Sequence, residues 1–271
     1  MIQGFIRTLL GVAVSAALAS PLLAQGSKVA EELAKYREAL ADGNPADLLE
    51  VKGEGLWAEK RGPKNASLEQ CDFGMGPGKL DGAYAALPRY FKDTNKVMDV
   101  ESRLVYCMET LQGFKQEEVT KNWYSKPGTE SDIEALVTFI GAKSNGKPIN
   151  VPATHPAEKK MYQIGEYAFY RRSGPQDFSC SICHGQDGKR IRLQDLGNLT
   201  TKEGAGMAMK SWPSYRVSQG AVWTMERRLI DCMRQARFPE PKYLSDTIIA
   251  LQVYLQKNAT GTVMETPGIK R

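Results

Sequence analysis

The sequence has few histidines, no long run of like charge and, after its first 24 residues, no long hydrophobic run. Its 271 residues include two histidines, His155 and His184. The missing hydrophobic runs exclude a polytopic membrane protein. A composition of 42% hydrophobic and 25% charged residues excludes a collagen-like fibre and a wholly disordered chain. The 36 Lys and Arg residues, against 31 Asp and Glu, are spread along the chain, so we expect no nucleic-acid partner.

The N-terminus has the pattern of a secretory signal. Arg7 precedes an apolar core over residues 9–19, and small residues end at Ala24. About a dozen apolar residues are too few to span a bilayer comfortably. We therefore expect residues 1–24 to be a cleaved signal peptide, the mature chain to have no membrane span, and the protein to be periplasmic.

The rest of the chain favours a mainly α fold in two domains. Amphipathic or capped helices are predicted over Val29–Ala41, Ala157–Arg172, and after caps at Ser131 and Ser245. Ser131 and Glu134 have the spacing of a capping box. Strand-like alternation is scarce. A segment rich in proline and polar residues, 143–156, indicates a connector, so we expect domains at 25–145 and 146–271.

The two predicted domains resemble each other in sequence. Arg103 to Met108 matches Arg228 to Met233, with the same step from arginine to cysteine. Each match is followed by a capped helix that carries Ala-Leu and, further along, an aromatic and an aliphatic residue. Two such matches in the same order predict a duplicated domain.

The strongest chemical signal is the C-x-x-C-H sequence from Cys180 to His184. This spacing places two thiols on one turn, where they can form thioethers with haem vinyl groups, and it leaves His184 as an axial iron ligand. A thioredoxin-type motif would need a βαβ setting, and a zinc site would need a second pair of ligands. The pattern therefore predicts covalently bound haem c.

The sixth haem ligand and the leftover thiol are open at this point. Met207, Met209, Met225 and Met233 could each be the ligand, whereas we expect His155 to be an exposed linker residue. Cys71 and Cys107 could form a disulfide in the first half, which leaves Cys232 unpaired. Cys232 could be a core residue. Because Arg228 lies one helical turn before it, we instead expect a thiol with a lowered pKa that acts as nucleophile or iron ligand.

These motifs resemble the A subunit of the SoxAX cytochromes of bacterial thiosulfate oxidation, over essentially the whole chain after the leader. The resemblance implies two tandem cytochrome c-like domains. It also implies that Cys232 is the distal haem ligand and an active-site persulfide, and that Arg228 lies at the active site. Some members carry a second C-x-x-C-H, but here Cys71 has neither a second cysteine nor a histidine beside it. The chain is therefore similar to the single-haem branch, whose first domain lacks haem and in which Cys71 and Cys107 pair.

The resemblance also implies a reaction and partners. The enzyme would be an L-cysteine S-thiosulfotransferase that conjugates thiosulfate oxidatively to a cysteine of a SoxYZ-like carrier and passes two electrons to c-type haem. One haem c accepts one electron at a time, so we expect a heterodimer with a small SoxX-like cytochrome. The alternative is a plain periplasmic His/Met electron-transfer cytochrome c. Four residues near the site are candidates by sequence proximity alone, and surface solvation is the expected role of each: Lys210, Trp212, Arg216 and Arg227.

Overall fold

The computed structural model describes residues 31, 35, 38, 39, 43–126, 129–191 and 194–271. The predicted signal peptide and most of the predicted helix Val29–Ala41 lie outside these residues. The helices of the described part are α1 (Ala46–Ala58), α2 (Val100–Cys107), α3 (Gln116–Thr120), α4 (Asp132–Ala142), α5 (Pro156–Tyr170), α6 (Cys180–His184), α7 (Lys202–Met209), α8 (Met225–Gln235) and α9 (Asp246–Asn258). The expectation of a mainly α fold is confirmed.

Short strands connect these helices in the described part of the chain. They are β1 (Arg89–Phe91), β2 (Lys96–Met98), β3 (Arg190–Ile191), β4 (Gln194–Asp195), β5 (Ser214–Arg216), β6 (Ala221–Trp223) and β7 (Gly268–Lys270). β1 pairs with β2 and β3 with β4, both antiparallel. β5 is the central strand of a three-stranded sheet, antiparallel to β6 and parallel to β7. The sheet therefore joins the C-terminus to the segment that precedes α8.

The same order of elements occurs in both halves. A two-stranded antiparallel hairpin precedes α2 and α8, and the matched residues Cys107 and Cys232 both lie on those helices. Asp99 caps α2 through the Ser102 amide, and Thr224 caps α8 through the Arg227 amide. These correspondences extend the sequence match from a few residues to three successive elements.

A close helix crossing occurs at matching places in each half. α1 packs on α4 at Gly53, where a Cβ atom would lie 2.1 Å from the Ala135 carbonyl oxygen. α5 packs on α9 at Gly165, where a Cβ atom would lie 2.0 Å from the Ala250 carbonyl oxygen. Ala135 and Ala250 are the alanines of the two Ala-Leu matches. Only glycine lets the helix backbones approach this closely.

The connection between the halves is packed, and one expectation about it, an exposed His155, is wrong. The segment 143–156, predicted as a connector, joins α4 to α5; within it Ile149 and Val151 are fully buried, and the Ile149 amide donates to the Thr262 carbonyl at 2.8 Å. His155 is half-buried because it caps α5 and stacks on Tyr90, with ring centroids 3.7 Å apart. The first and second halves are therefore tied together along this segment.

The predicted capping residues Ser131 and Ser245 do precede helices, but not every predicted capping bond forms. The Ser131 hydroxyl accepts from the Glu134 amide, but the Glu134 carboxylate accepts from the Ser125 amide at 2.8 Å instead of closing a capping box. α9 begins directly after Ser245 without a side-chain capping bond. α5 ends at Tyr170, two residues before the predicted end.

Candidate functional site

The C-x-x-C-H motif forms the short helix α6. Ser179 precedes it in extended conformation, and the turn 173–178 before it packs against the end of α8. Gly174 in this turn has φ +72°, and a Cβ atom there would lie 2.2 Å from the Arg237 carbonyl oxygen. The close approach at glycine brings the two thiols and the imidazole of α6 beside α8.

His184 is held as a neutral imidazole with one nitrogen engaged. Its Nδ1 atom lies 3.1 Å from the Gly197 carbonyl oxygen. Burial lowers the pKa of His184, and the charge of Arg228 lowers it further against the opposing effect of the Gly197 bond. A carbonyl bond to Nδ1 fixes the tautomer that leaves Nε2 free to ligate a metal. No sequence signal points to Gly197, because its contribution is a backbone oxygen.

Helix α8 carries Arg228, Asp231 and Cys232 within little more than one turn. The Arg228 guanidinium lies 3.4 Å from the Asp231 carboxylate, and Arg234 lies 2.7 Å from the same side chain. Arg228 and Cys232 are one turn apart, and the charge of Arg228 acts on the Cys232 thiol. The structure therefore brings together the arginine and the cysteine that the sequence singles out.

The prediction that the Cys232 thiol has a lowered pKa is wrong for the polypeptide alone, without haem. Burial raises the pKa of the Cys232 thiol more than Arg228 and Arg216 lower it, and Asp231 and Cys183 raise it further. Burial likewise raises the pKa of Cys180 to about 12, with an added contribution from Cys232. The mutual electrostatic effect of these sulfurs indicates that Cys232 lies close to the C-x-x-C-H helix.

The donor set around α6 fits haem c. Cys180, Cys183 and Cys232 are free thiols, and two of them lie on the same helical turn as His184. A soft thiolate and an imidazole are both common axial ligands of haem iron. Cys180 and Cys183 would hold the porphyrin covalently, and His184 and Cys232 would ligate the iron.

The methionines that could replace Cys232 are engaged elsewhere. Met209, Met225 and Met233 are buried members of the main hydrophobic cluster. Met207 is 56% exposed, and its terminal methyl group lies beside Gly197, the residue that binds His184. Three of the four candidate methionines are therefore core residues.

The four candidates named by proximity have different roles. Lys210 pairs with Glu265 at 2.6 Å, and the Trp212 indole donates to the Ala208 carbonyl at 2.9 Å. Surface solvation is wrong for Trp212, which is buried, and for Arg227, whose guanidinium lies 2.6 Å from the fully buried Glu134. Arg216 is half-buried, and its charge acts on Cys232.

The first half has no comparable site at the matching positions. Cys71 and Cys107 form a disulfide with a Cα separation of 5.7 Å. Arg103, which matches Arg228, is buried; its Nε atom donates to the Asp72 carbonyl at 2.7 Å, and it pairs with Asp93 at 2.8 Å. In the first half, the residues that match Cys232 and Arg228 are therefore engaged in a disulfide and in internal polar contacts, respectively.

Sequence reasoning missed a buried group of carboxyl residues between the halves, formed by Asp99, Glu101 and Glu226. All three are at most 1% exposed, and the Tyr243 hydroxyl donates to Glu101 at 2.8 Å. Burial raises the pKa of Glu101 to about 8 and that of Glu226 well above its usual range. One signal was available, since Glu101 and Glu226 each lie two residues before a matched arginine.

The described residues contain no helix that is both long and apolar enough to cross a bilayer.

Comparison with known proteins gives consistent matches. The family model "SoxA/TsdA, cytochrome c domain" matches residues 52–149. The chain is 50% identical to the L-cysteine S-thiosulfotransferase subunit SoxA of Hydrogenophilus thermoluteolus, over 98% of this chain and 99% of that protein. It is 35% identical to a SoxA subunit of Hydrogenobacter thermophilus, over 98% of each chain. The crystal structure of SoxXA from P. pantotrophus shares the fold, with a TM-score of 0.71 at 23% identity, covering 88% of this chain and 84% of that one.

Proposed function

This chain belongs to the SoxA family of L-cysteine S-thiosulfotransferase subunits, and we propose that Cys232 forms the bond to thiosulfate while Arg228 holds the sulfonate group. The chain is a c-type cytochrome subunit of thiosulfate oxidation. The proposal rests above all on one observation: Arg228 and Cys232 lie one turn apart on α8, close to the C-x-x-C-H helix.

Binding of thiosulfate uses the charge at the N-terminal half of α8. Arg228 is half-buried, so its guanidinium is partly shielded from water. A guanidinium can donate two parallel hydrogen bonds to neighbouring oxygens of a sulfonate, which fixes the orientation of the anion. The sulfane sulfur at the other end of thiosulfate is then directed at the Cys232 sulfur.

The covalent step joins two sulfurs and releases two electrons. The Cys232 thiolate and the sulfane sulfur of thiosulfate would form an S–S bond, and the two electrons released would pass to the c-type cytochrome acceptor that the proposed reaction requires. A carrier thiolate then attacks the sulfane sulfur, takes the sulfane-sulfonate group and returns Cys232 as a thiolate. A covalent intermediate of this kind divides one transfer into two easier steps.

Haem c, when bound, supplies one-electron acceptance, and this chain's residues supply its attachment and ligands. Cys180 and Cys183 would form the thioethers, while His184 and Cys232 would hold the iron. Because one haem takes one electron at a time, the second electron needs another c-type haem. We infer a heterodimer with a SoxX-like cytochrome, and a SoxYZ-like protein as the carrier. The names of the relatives, which are subunits, support the first inference.

The halves are assigned as two tandem cytochrome c-like domains, residues 25–145 without haem and residues 146–271 with one haem. The repeated order of elements supports this assignment, as does the family match to residues 52–149, which contain no C-x-x-C-H. We further infer that residues 1–24 direct the protein to the periplasm.

The proposal is tested by replacing Cys232 in the holo-complex. Cys232→Ala should abolish thiosulfate-dependent conjugation to the carrier and should remove the thiolate-type low-spin signal from the low-temperature EPR spectrum. Asp177→Asn, which changes an exposed residue of the turn before α6, is the control and should alter neither. Retained turnover in Cys232→Ala would contradict the nucleophile assignment. A methionine-type spectrum in the unmodified protein would favour the plain His/Met cytochrome.

A further inference from the structure

Arg216 is oriented by neighbouring side chains, but the two terminal nitrogens of its guanidinium group lack a partner among the described residues. It is the last residue of β5, the central strand of the sheet. Its Nε atom donates to the Gln219 side-chain oxygen at 3.2 Å, and its guanidinium carbon lies 5.5 Å from the centre of the Trp223 ring. Within the described residues, its two terminal nitrogens have no protein acceptor. The side chain is therefore oriented by neutral groups, with its hydrogen-bonding fork unused.

The charge of Arg216 is not neutralised by a neighbouring carboxylate. In the parts of the chain that the structure describes, no carboxylate lies within 4.0 Å of its guanidinium. Asp231 is the acidic group that acts on it, and that carboxylate already binds Arg234 at 2.7 Å and lies 3.4 Å from Arg228. Burial and the charge of Arg228 lower the pKa of Arg216 to about 10, so the side chain stays charged at neutral pH.

Positive charge is therefore in excess beside the Cys232 sulfur. Arg216 and Arg228 both act electrostatically on Cys232, and they act on each other. Two half-buried cations that share part of one carboxylate repel each other, and a bound anion would relieve that repulsion. The other basic candidates nearby lack this property, because Arg227 is paired with Glu134 and Lys210 with Glu265.

We propose that Arg216 is a second substrate-binding arginine, which holds the sulfonate oxygens of thiosulfate together with Arg228. The inference deepens the proposed function and rests on it. Arg228 approaches from α8 and Arg216 from the sheet, so the two forks come from different elements. The three sulfonate oxygens offer enough acceptors for both guanidinium groups. The bond to Gln219 and the contact with Trp223 orient the guanidinium group of Arg216 without using its two terminal nitrogens.

The test uses the holo-complex with its partner cytochrome and carrier, and thiosulfate concentration is varied. Arg216→Gln should raise KM for thiosulfate roughly tenfold to a hundredfold, with a smaller change in kcat, because a charge-assisted contact to the anion is lost. Arg216→Lys should recover part of the loss, since it keeps the charge without the fork. Inhibition by sulfate should weaken in parallel with KM. Arg172→Gln removes an exposed arginine near α6 and should leave KM unchanged.

The haem spectrum and midpoint potential separate this role from its rivals. A substrate-binding residue should leave both unchanged in Arg216→Gln. An unchanged KM with a shifted potential would mean that Arg216 neutralises a haem propionate, and an unchanged KM and potential would mean a structural role; either overturns the proposal. If Arg216→Gln does not fold, a wild-type KM in Arg216→Lys overturns it equally. The proposed function fails separately, through retained turnover in Cys232→Ala.

Discussion

Single arginines in this protein have different roles according to their acidic partners. Arg103 is closed off by Asp93 and a backbone carbonyl, and Arg227 by the buried Glu134. Arg228 shares Asp231 with Arg234, so part of its charge remains available. Arg227 and Arg228 are neighbours in sequence, but α8 directs Arg227 to the buried Glu134 and leaves Arg228 for the proposed binding of the sulfonate.

Replacing Arg227 should therefore mainly lower stability, whereas replacing Arg228 should mainly lower activity. Arg227→Gln leaves Glu134 buried without its cation and should destabilise the fold by about 3 kcal/mol. Arg228→Gln breaks a longer pair at 3.4 Å and leaves Asp231 paired with Arg234, so it should cost less than about 1 kcal/mol, while it removes most of the thiosulfate-dependent turnover. Chemical unfolding and steady-state kinetics of the two variants measure both effects. Equal stability losses, or full activity in Arg228→Gln, would contradict the separation.

At the scale of elements, each half is built on a pair of helices that cross at a glycine. Gly53 and Gly165 contact the carbonyl groups of Ala135 and Ala250, which lie in the matched Ala-Leu sequences. Each crossing sets the position of a long helix against which the rest of its half packs. In the second half, α5 leads directly to the turn before α6, so the crossing positions the haem-binding motif.

A methyl group at this crossing should separate the helices. In Gly165→Ala the new Cβ atom would lie 2.0 Å from the Ala250 carbonyl oxygen, so the variant should lose about 1 to 3 kcal/mol of stability. Gly55→Ala is the matched control, because that glycine lies within α1 with no atom within 4 Å of the added carbon. It should be neutral or stabilising by about 0.5 to 1 kcal/mol. Thermal unfolding would contradict the packing account if both variants behaved alike.

The elements were predictable where the signal is local. Helix starts after Ser131 and Ser245 and the end of α5 shortly before Gly174 follow from capping and turn residues, and the C-x-x-C-H spacing predicts the attachment site from five residues. Contacts between distant segments were not predictable. The Glu134 carboxylate leaves its expected capping bond because Ser125 and Arg227, which a helix pattern does not reveal, reach it first. The contact between the Gly197 carbonyl and His184 likewise joins separate segments and could not be predicted from a local pattern.

At the scale of the whole molecule, the two halves meet over buried carboxyl groups. Asp99 and Glu101 belong to the first half and Glu226 to the second, while Tyr243 and Gln252 donate to this group from the second half. Glu226 also accepts from the Leu244 amide at 2.8 Å. Within the described residues no cation pairs with Glu101 or Glu226, and burial raises the pKa of both carboxyl groups, so both favour the protonated form. At neutral pH, carboxyl groups at this interface are therefore protonated in part.

This protonation predicts that the protein loses stability as pH rises. Burial raises the pKa of Glu101 from 4.5 to about 8, so its contribution is complete below pH 4.5 and is lost as pH rises through about 8. Glu226 acts in the same direction. Thermal unfolding between pH 5 and pH 9 should show a falling midpoint. Glu101→Gln, which cannot ionise, should flatten this fall, whereas Glu240→Gln at an exposed site should not. A midpoint that rises with pH would contradict the account.

The central claim is that the Cys232 sulfur bonds to thiosulfate, and mass spectrometry of the trapped intermediate tests it most directly. The holo-complex is incubated with thiosulfate and oxidised partner cytochrome in the absence of the carrier, and is then digested without reductant. The account predicts that the peptide containing Cys232 gains the mass of a bound thiosulfate group, and that addition of the carrier removes it. An unmodified Cys232 peptide from a complex whose haem has been reduced by thiosulfate would contradict the claim.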